Sequence, residues 1–130
     1  MTPGLHTKPA VVKAASGLLV QMQDAASSLN YAALLTDDGF DVARLPGEIE
    51  GEKFAGMASS MQALSDAVAH ELKIGDSEYV IIASGKGYVV QLRVPGQELV
   101  LSALFDSDST IGSALAVTKT FAQKMADLLK

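Results

Sequence analysis

The chain has 130 residues, 48% hydrophobic and 19% charged, with 15 acidic against 10 basic side chains for a formal charge of -5. That length and an even spread of apolar residues point to one folded domain with no large disordered part. The acidic balance without a run of Lys or Arg argues against a nucleic-acid partner, and the lack of cysteine excludes disulfides, thiolate metal sites and thiol nucleophiles.

The N-terminal MTPGLHTKPA has two prolines and no apolar run of signal-peptide length, and no later uncharged stretch reaches a bilayer span. A cytoplasmic protein without membrane insertion is expected, with a flexible leader over residues 1–9 and a single domain over 10–130. From about Ala10 to Leu29, a stripe of Ala15, Leu18, Leu19, Met22, Ala26 and Leu29 predicts a first helix. Gly17 inside it implies either a weak first turn or a close neighbour.

From Tyr31 the pattern changes to short apolar runs, YAALLT and FDVARL, separated by Asp37-Asp38-Gly39. An Asp-Gly pair between such runs predicts a tight hairpin, because mirror-image turns need positive φ. A calcium-loop reading of the same acids fails for want of the repeated oxygen donors and terminal glutamate.

Pro46-Gly47 ends the second strand, and a long helical pattern runs from about Glu52 to Leu72. Phe54, Met57, Met61, Leu64, Val68 and Leu72 form one stripe, and Gly75 is placed to stop the helix in a left-handed cap. A neighbouring face carries only the small residues Gly56, Ser60, Ala63 and Ala67.

Three strand-like runs follow, EYVIIAS, YVVQLRV and ELVLSALF, separated by Gly85-Lys86-Gly87 and Pro95-Gly96, so an antiparallel meander is expected. Alternation in YVVQLRV suggests a wet face at Gln91 and Arg93, whereas LVLSALF reads as a central strand covered on both sides. The loop DSDST offers N-caps to a last helix whose stripe is Ile111, Leu115, Thr118, Ala122, Met125 and Leu129.

The fold class is therefore α+β, in the order α-β-β-α-β-β-β-α, with a five-stranded antiparallel sheet and helices on both faces. The stretches AALLTDDGFDVARL, EKFAGMASSMQALSDAVAHELKIGDSEYVIIASGKGYVVQL and LVLSALFDSDSTIGSALAVTKTFAQKM together resemble the Roadblock family of dynein-light-chain-type and bacterial GTPase-regulator proteins. The resemblance covers about residues 10–130 and rests on the order of elements. It implies a profilin-like fold, homo- or heterodimers joined through the second helix and third strand, and a role as scaffold or regulator of small Ras-like GTPases. In eukaryotes it also implies roles in dynein and lysosomal signalling complexes.

Two readings of the residues stand beside it. The small face of the second helix either approaches the helix of a symmetry mate or packs on its own sheet, and EYVIIAS is either an unprotected sheet edge or ordinary core. With the resemblance, the expected dimer interface takes Phe54, Gly56, Met57, Ser60, Met61, Ala63 and Leu64 from the helix. It takes Tyr79, Val80, Ile81 and Ile82 from the strand. Glu52, Lys53, Ser59, Gln62 and Asp66 are the exposed candidates for a partner surface.

No catalytic, cofactor-binding or metal-binding residue is predicted, and so no enzyme. His6 and His70 read as lone surface histidines, and Gly85-Lys86-Gly87 lacks the full phosphate-loop pattern and a following helix. The resemblance assigns the bound nucleotide to the partner. The first functional expectation is a non-enzymatic dimeric regulator or adaptor of a small Ras-like GTPase, able to modulate hydrolysis by ordering the partner's switch elements. The alternatives are a small-molecule sensor with a profilin-like fold, or a structural subunit of a larger motor or signalling complex.

Overall fold

The computed structural model describes residues 8–130; most of the expected leader, with His6, lies outside the described residues. Pro9 opens α1 (Pro9–Ala25), where its fixed φ suits the first helical position and its missing N–H removes nothing. The helix stops four residues before the predicted end, with the Ala26 N–H closing on the Met22 carbonyl, and Leu29 already belongs to β1 (Leu29–Thr36). Gly17 is exposed with no atom near where a Cβ would stand, so no close neighbour demands it.

The hairpin to β2 (Asp41–Arg44) falls at the acidic pair, but with a different turn from the one expected. The Gly39 N–H donates to the Thr36 carbonyl and the Thr36 N–H to the Phe40 carbonyl, and only Gly39 has positive φ, at 91°. That is an ordinary four-residue turn followed by one left-handed glycine, a three-residue hairpin loop. A Cβ on Gly39 would sit 3.2 Å from the Ser59 Cβ, so the turn is pressed against the second helix.

That helix is α2 (Gly51–Glu71), and it ends in a Schellman motif. The Ile74 N–H reaches the Ala69 carbonyl at 3.1 Å and the Lys73 N–H the His70 carbonyl at 3.2 Å. The left-handed residue that closes the motif is Lys73, with φ 57°, and not the predicted Gly75, whose positive φ comes two residues later in the loop.

The meander follows as β3 (Val80–Ser84), β4 (Gly87–Arg93) and β5 (Leu99–Asp106). Ser84 pairs with Gly87, leaving Gly85 and Lys86 as a two-residue turn that leads into a strand. Thr110 caps α3 (Ile111–Leu128) by accepting from the Ser113 N–H at 3.1 Å.

All pairings are antiparallel and the strand order is β2-β1-β5-β4-β3, so the apolar β5 is central as its sequence predicts. α1 and α3 pack on each other and on one face of the sheet. There Leu19, Met22, Leu34, Leu101, Phe105 and Met125 are all buried. α2 lies on the opposite face, where Gln91 and Tyr31 reach it.

The two sheet edges differ. β2 has four residues, a charged residue at each end, Pro46 just beyond, a bulge at Val42 opposite Leu34 and Leu35, and α1 against it. β3 has five residues with neither charge nor proline, β4 on one side and, among the described residues, no strand on the other.

Candidate functional site

Helical periodicity places the large and the small residues of α2 correctly relative to each other, but the side that meets the sheet is not the bulky one. Its buried residues are Gly51, Phe54, Ala55, Ala58, Gln62 and Ala69. Met57, Leu64, Val68 and Leu72 are 54%, 66%, 46% and 63% exposed. Gly56, Ser60, Ala63 and Ala67 are exposed beside them, so the small face does not pack on its own sheet. Among the described residues, no atom of another part of the protomer comes near a Cβ built on Gly56.

Next to this face runs the open edge. Alternation along β3 turns Val80 and Ile82 toward the α2 side, in register with Gln91 and Val89 of β4, and turns Ile81 to the side of α3. Ile82 is 46% exposed, Val80 and Ile81 are half-buried, and Tyr79, just before the strand, lies under the Lys119 ammonium at 5.2 Å. An open cleft of about 620 Å³ separates the C-terminal half of α2 from β3, with Met61, Leu64, Val68, Ile74, Tyr79 and Ile82 among its walls. Among the residues expected at the interface, Phe54 is buried within the protomer: it is 7% exposed and packs edge-on against the Tyr31 ring at 4.8 Å. Its register with Met57 made it look like part of the outer stripe, but it lies on the sheet side of the helix. Val68 and Leu72 of the same stripe, and Ile74, which is 72% exposed, extend the apolar face beyond the expected interface residues.

The expected partner surface needs larger correction. Glu52 and Lys53 are exposed as predicted, but Gln62 is 3% exposed and lies between helix and sheet. Gln91, expected on a wet face, is fully buried and donates to the Ala58 carbonyl at 2.8 Å and to Gln62 Oε1 at 3.3 Å. Gln62 in turn donates to Asp66 Oδ1. Ser59 Oγ donates to the Asp37 carbonyl of the hairpin turn. Arg93 bridges Asp66 at 3.1 Å and Asp37 at 3.4 Å; Ser59 and Asp66 are thus only partly exposed, with their polar groups bonded within the chain. Burial alone would lower the pKa of Arg93, but the hydrogen bond to Asp66 and the charge of Asp37 outweigh it and raise it. The signal for this layer was present as polar residues at alternate positions of an apolar strand; alternation cannot distinguish water from a polar helix as the partner.

At the N-terminal end of α2 a second polar group gathers. The Arg44 guanidinium crosses the place where a Cβ of Gly51 would stand, so glycine there makes room for it. Arg44 pairs with Asp41 at 3.2 Å. Burial raises the pKa of Asp41 against the pull of Arg44. Burial and then the Asp41 charge raise that of Tyr31; Arg44 is near enough to oppose this but does not reach hydrogen-bond geometry at the hydroxyl. His70 is exposed, 3.4 Å from Asp76. Among the described residues no group of three or more His, Cys, Asp or Glu could hold a metal ion, and no helix is long and apolar enough to cross a membrane.

Comparison with known proteins bears on this architecture. No curated protein sequence matches the chain. Among solved structures, MglB in a tetrameric arrangement superposes with a TM-score of 0.85 at 20% identity, covering 98% of this chain and 96% of that one. The gliding protein MglB from Thermus thermophilus gives 0.84 at 18% identity, with 98% and 97% covered. Profilin of Schizosaccharomyces pombe gives 0.66 at 10% identity, with 87% and 97% covered, which bears out the profilin-like topology. The model of the Roadblock/LC7 domain matches residues 15–101, from within α1 through the hairpin, α2 and the open edge to the start of β5, and the chain belongs to the Roadblock/LC7 family.

Proposed function

We propose that the chain is a non-enzymatic adaptor or regulator of a small Ras-like GTPase in the cytoplasm, and that it works as a dimer joined through α2 and β3. The observation that carries this reading is the outward display of Met57, Leu64 and Val68 around Gly56, Ser60 and Ala63, beside an unprotected strand edge. A helix that turns its bulky apolar residues away from its own sheet has a partner for them outside the chain. The small residues let a second helix approach, and a two-fold axis beside β3 brings the same residues of a second copy into register. Family membership and the likeness of fold to MglB support the GTPase as the further partner. Glu52 and Lys53, at the exposed start of α2, are the charged positions in reach of such a partner; Gln62 is not, since it is buried.

Light scattering across a dilution series tests the dimer. Gly56→Leu meets nothing in its own protomer and should leave folding intact, while overpacking the helix contact weakens dimerisation by about 1–3 kcal/mol. That is roughly a 5- to 150-fold higher dissociation constant. A dimer as tight as the parent would place the interface elsewhere. For the GTPase, purified Ras-like GTPases of the source organism, loaded with GDP or a non-hydrolysable GTP analogue, are titrated by calorimetry. Nucleotide-dependent binding is expected, and no binding in either state across the set would remove the regulator reading.

A further inference from the structure

The four buried polar side-chain atoms without a hydrogen-bond partner among the described residues are the Tyr31 hydroxyl, Asp41 Oδ1, Gln91 Oε1 and Ser102 Oγ. Their distribution is one-sided. Tyr31 meets Phe54 of α2, Gln91 meets Ala58 of α2, and Ser102 is the register partner of both Gln91 and Ala33. Directly paired residues share a face of the sheet, so Ser102 also looks toward α2. Two of the four, Gln91 Oε1 and Ser102 Oγ, are neighbours across β4 and β5 in side chains that are both fully buried.

The orientation of Gln91 is fixed by chemistry. Its amide nitrogen faces the Ala58 carbonyl and Gln62 Oε1, two acceptors; turning the amide over would set oxygen against oxygen. Oε1 therefore points away from that pair and needs a donor. The Ser102 hydroxyl stands in the adjacent row without bonding it directly. A buried carbonyl left bare costs about 1–3 kcal/mol, so native interiors supply a partner. Small side chains stand beside this point: Ala33 in the same row of the sheet, and Ala58 of α2, whose carbonyl Gln91 bonds.

We infer that an ordered internal water is bound between α2 and the sheet, donating to Gln91 Oε1 and bonded to Ser102 Oγ. A water satisfies both groups at once, and small polar surroundings are where such waters are retained. The site is internal to the protomer, in the polar layer between α2 and the sheet, and does not depend on any partner.

Water-selective nuclear Overhauser and rotating-frame spectra of the labelled full chain test this. The Gln91 side-chain amide should show a cross-peak to water with the negative Overhauser sign of a long-lived internal molecule. The peak should vanish in the folded double variant Gln91→Met, Ser102→Ala, judged at the neighbouring Ala58 and Gln62 amides. It should also persist in a protein carrying the remote substitution Ser113→Ala, which shows that exchange with hydroxyls elsewhere does not supply it. Absence of the peak in the parent, or its survival at Ala58 and Gln62 in the double variant, overturns the inference. A crystal structure with a direct Gln91 to Ser102 hydrogen bond and no water between them would overturn it as well.

Discussion

The two faces of the sheet are built on opposite terms. On the α1 and α3 side, large apolar side chains such as Phe105, Met125, Leu101 and Leu19 interdigitate out of reach of solvent. On the α2 side, apart from the Phe54 and Tyr31 rings, the contact is made by alanines, two glutamines, a serine and an arginine bridged between aspartates. The first arrangement draws on apolar burial, which is non-directional and large. The second draws on hydrogen bonds, which are individually modest but fix position, because each donor must find its own acceptor. One face holds the fold together; the other sets where α2 stands, and with it the surface that α2 presents.

The comparison breaks most visibly under truncation on the apolar face. Phe105→Ala should lower unfolding stability by about 3–5 kcal/mol in denaturant titrations, since a fully buried ring leaves a cavity that rigid strands cannot close. On the polar face Gln91→Met should cost less, about 1–3 kcal/mol, by leaving Gln62 Oε1 without its donor, and adding Gln62→Met should recover most of the loss. A Gln91→Met loss equal to that of Phe105→Ala would mean that the polar layer carries as much stability as the apolar core.

Two smaller effects sharpen the picture of α2 and its surroundings. Lys73→Gly should raise stability by roughly 0.5–1 kcal/mol, because a side chain at left-handed φ closes the Schellman motif at a steric cost that glycine avoids. The smallest effect belongs to Asp41. Its carboxyl has a folded-state pKa above the ordinary 3.8, so the charged form is the disfavoured one in the fold. Its contribution to stability is present below the unfolded pKa and is lost as pH rises through the folded pKa. Asp41→Asn should therefore be more stable than the parent at neutral pH, with an advantage that shrinks as the pH is lowered through the carboxylate range. Thermal melts from neutral pH to about pH 3 would show the convergence; a constant difference would remove the buried charge as its cause.

Much of this was legible before the structure, where the signals are local. Asp37-Asp38-Gly39 announced a hairpin, Gly85-Lys86-Gly87 another, and the continuous apolar run of β5 its central place. The hairpin's turn type was not, because an acidic pair before glycine suits both a mirror-image turn and a common turn with one left-handed residue, and contact with Ser59 lies 20 residues ahead in the chain. Periodicity found the stripes of α2, but a period carries no sign: it separates faces without saying which one meets the sheet. The usual assumption that the bulkier stripe is inside fails here because α2 has bulk to present outward. Gln62 and Gln91 escaped because each is polar on its own element, and only their meeting across 29 residues makes them interior.

The unequal edges of the sheet have a consequence for growth. A strand lattice propagates only when each unit offers two places at which another can add. β2, short, bulge-paired, bounded by charges and closed off by Pro46, offers none, while β3 offers one. A molecule with a single reactive end behaves like a chain terminator in polymer chemistry: it can be joined once, and the joined product has no free end left. A second strand added at β3, as the proposed dimer requires, would therefore be self-limiting, and the same bare strand that would be a liability on a sheet open at both sides is safe on this one.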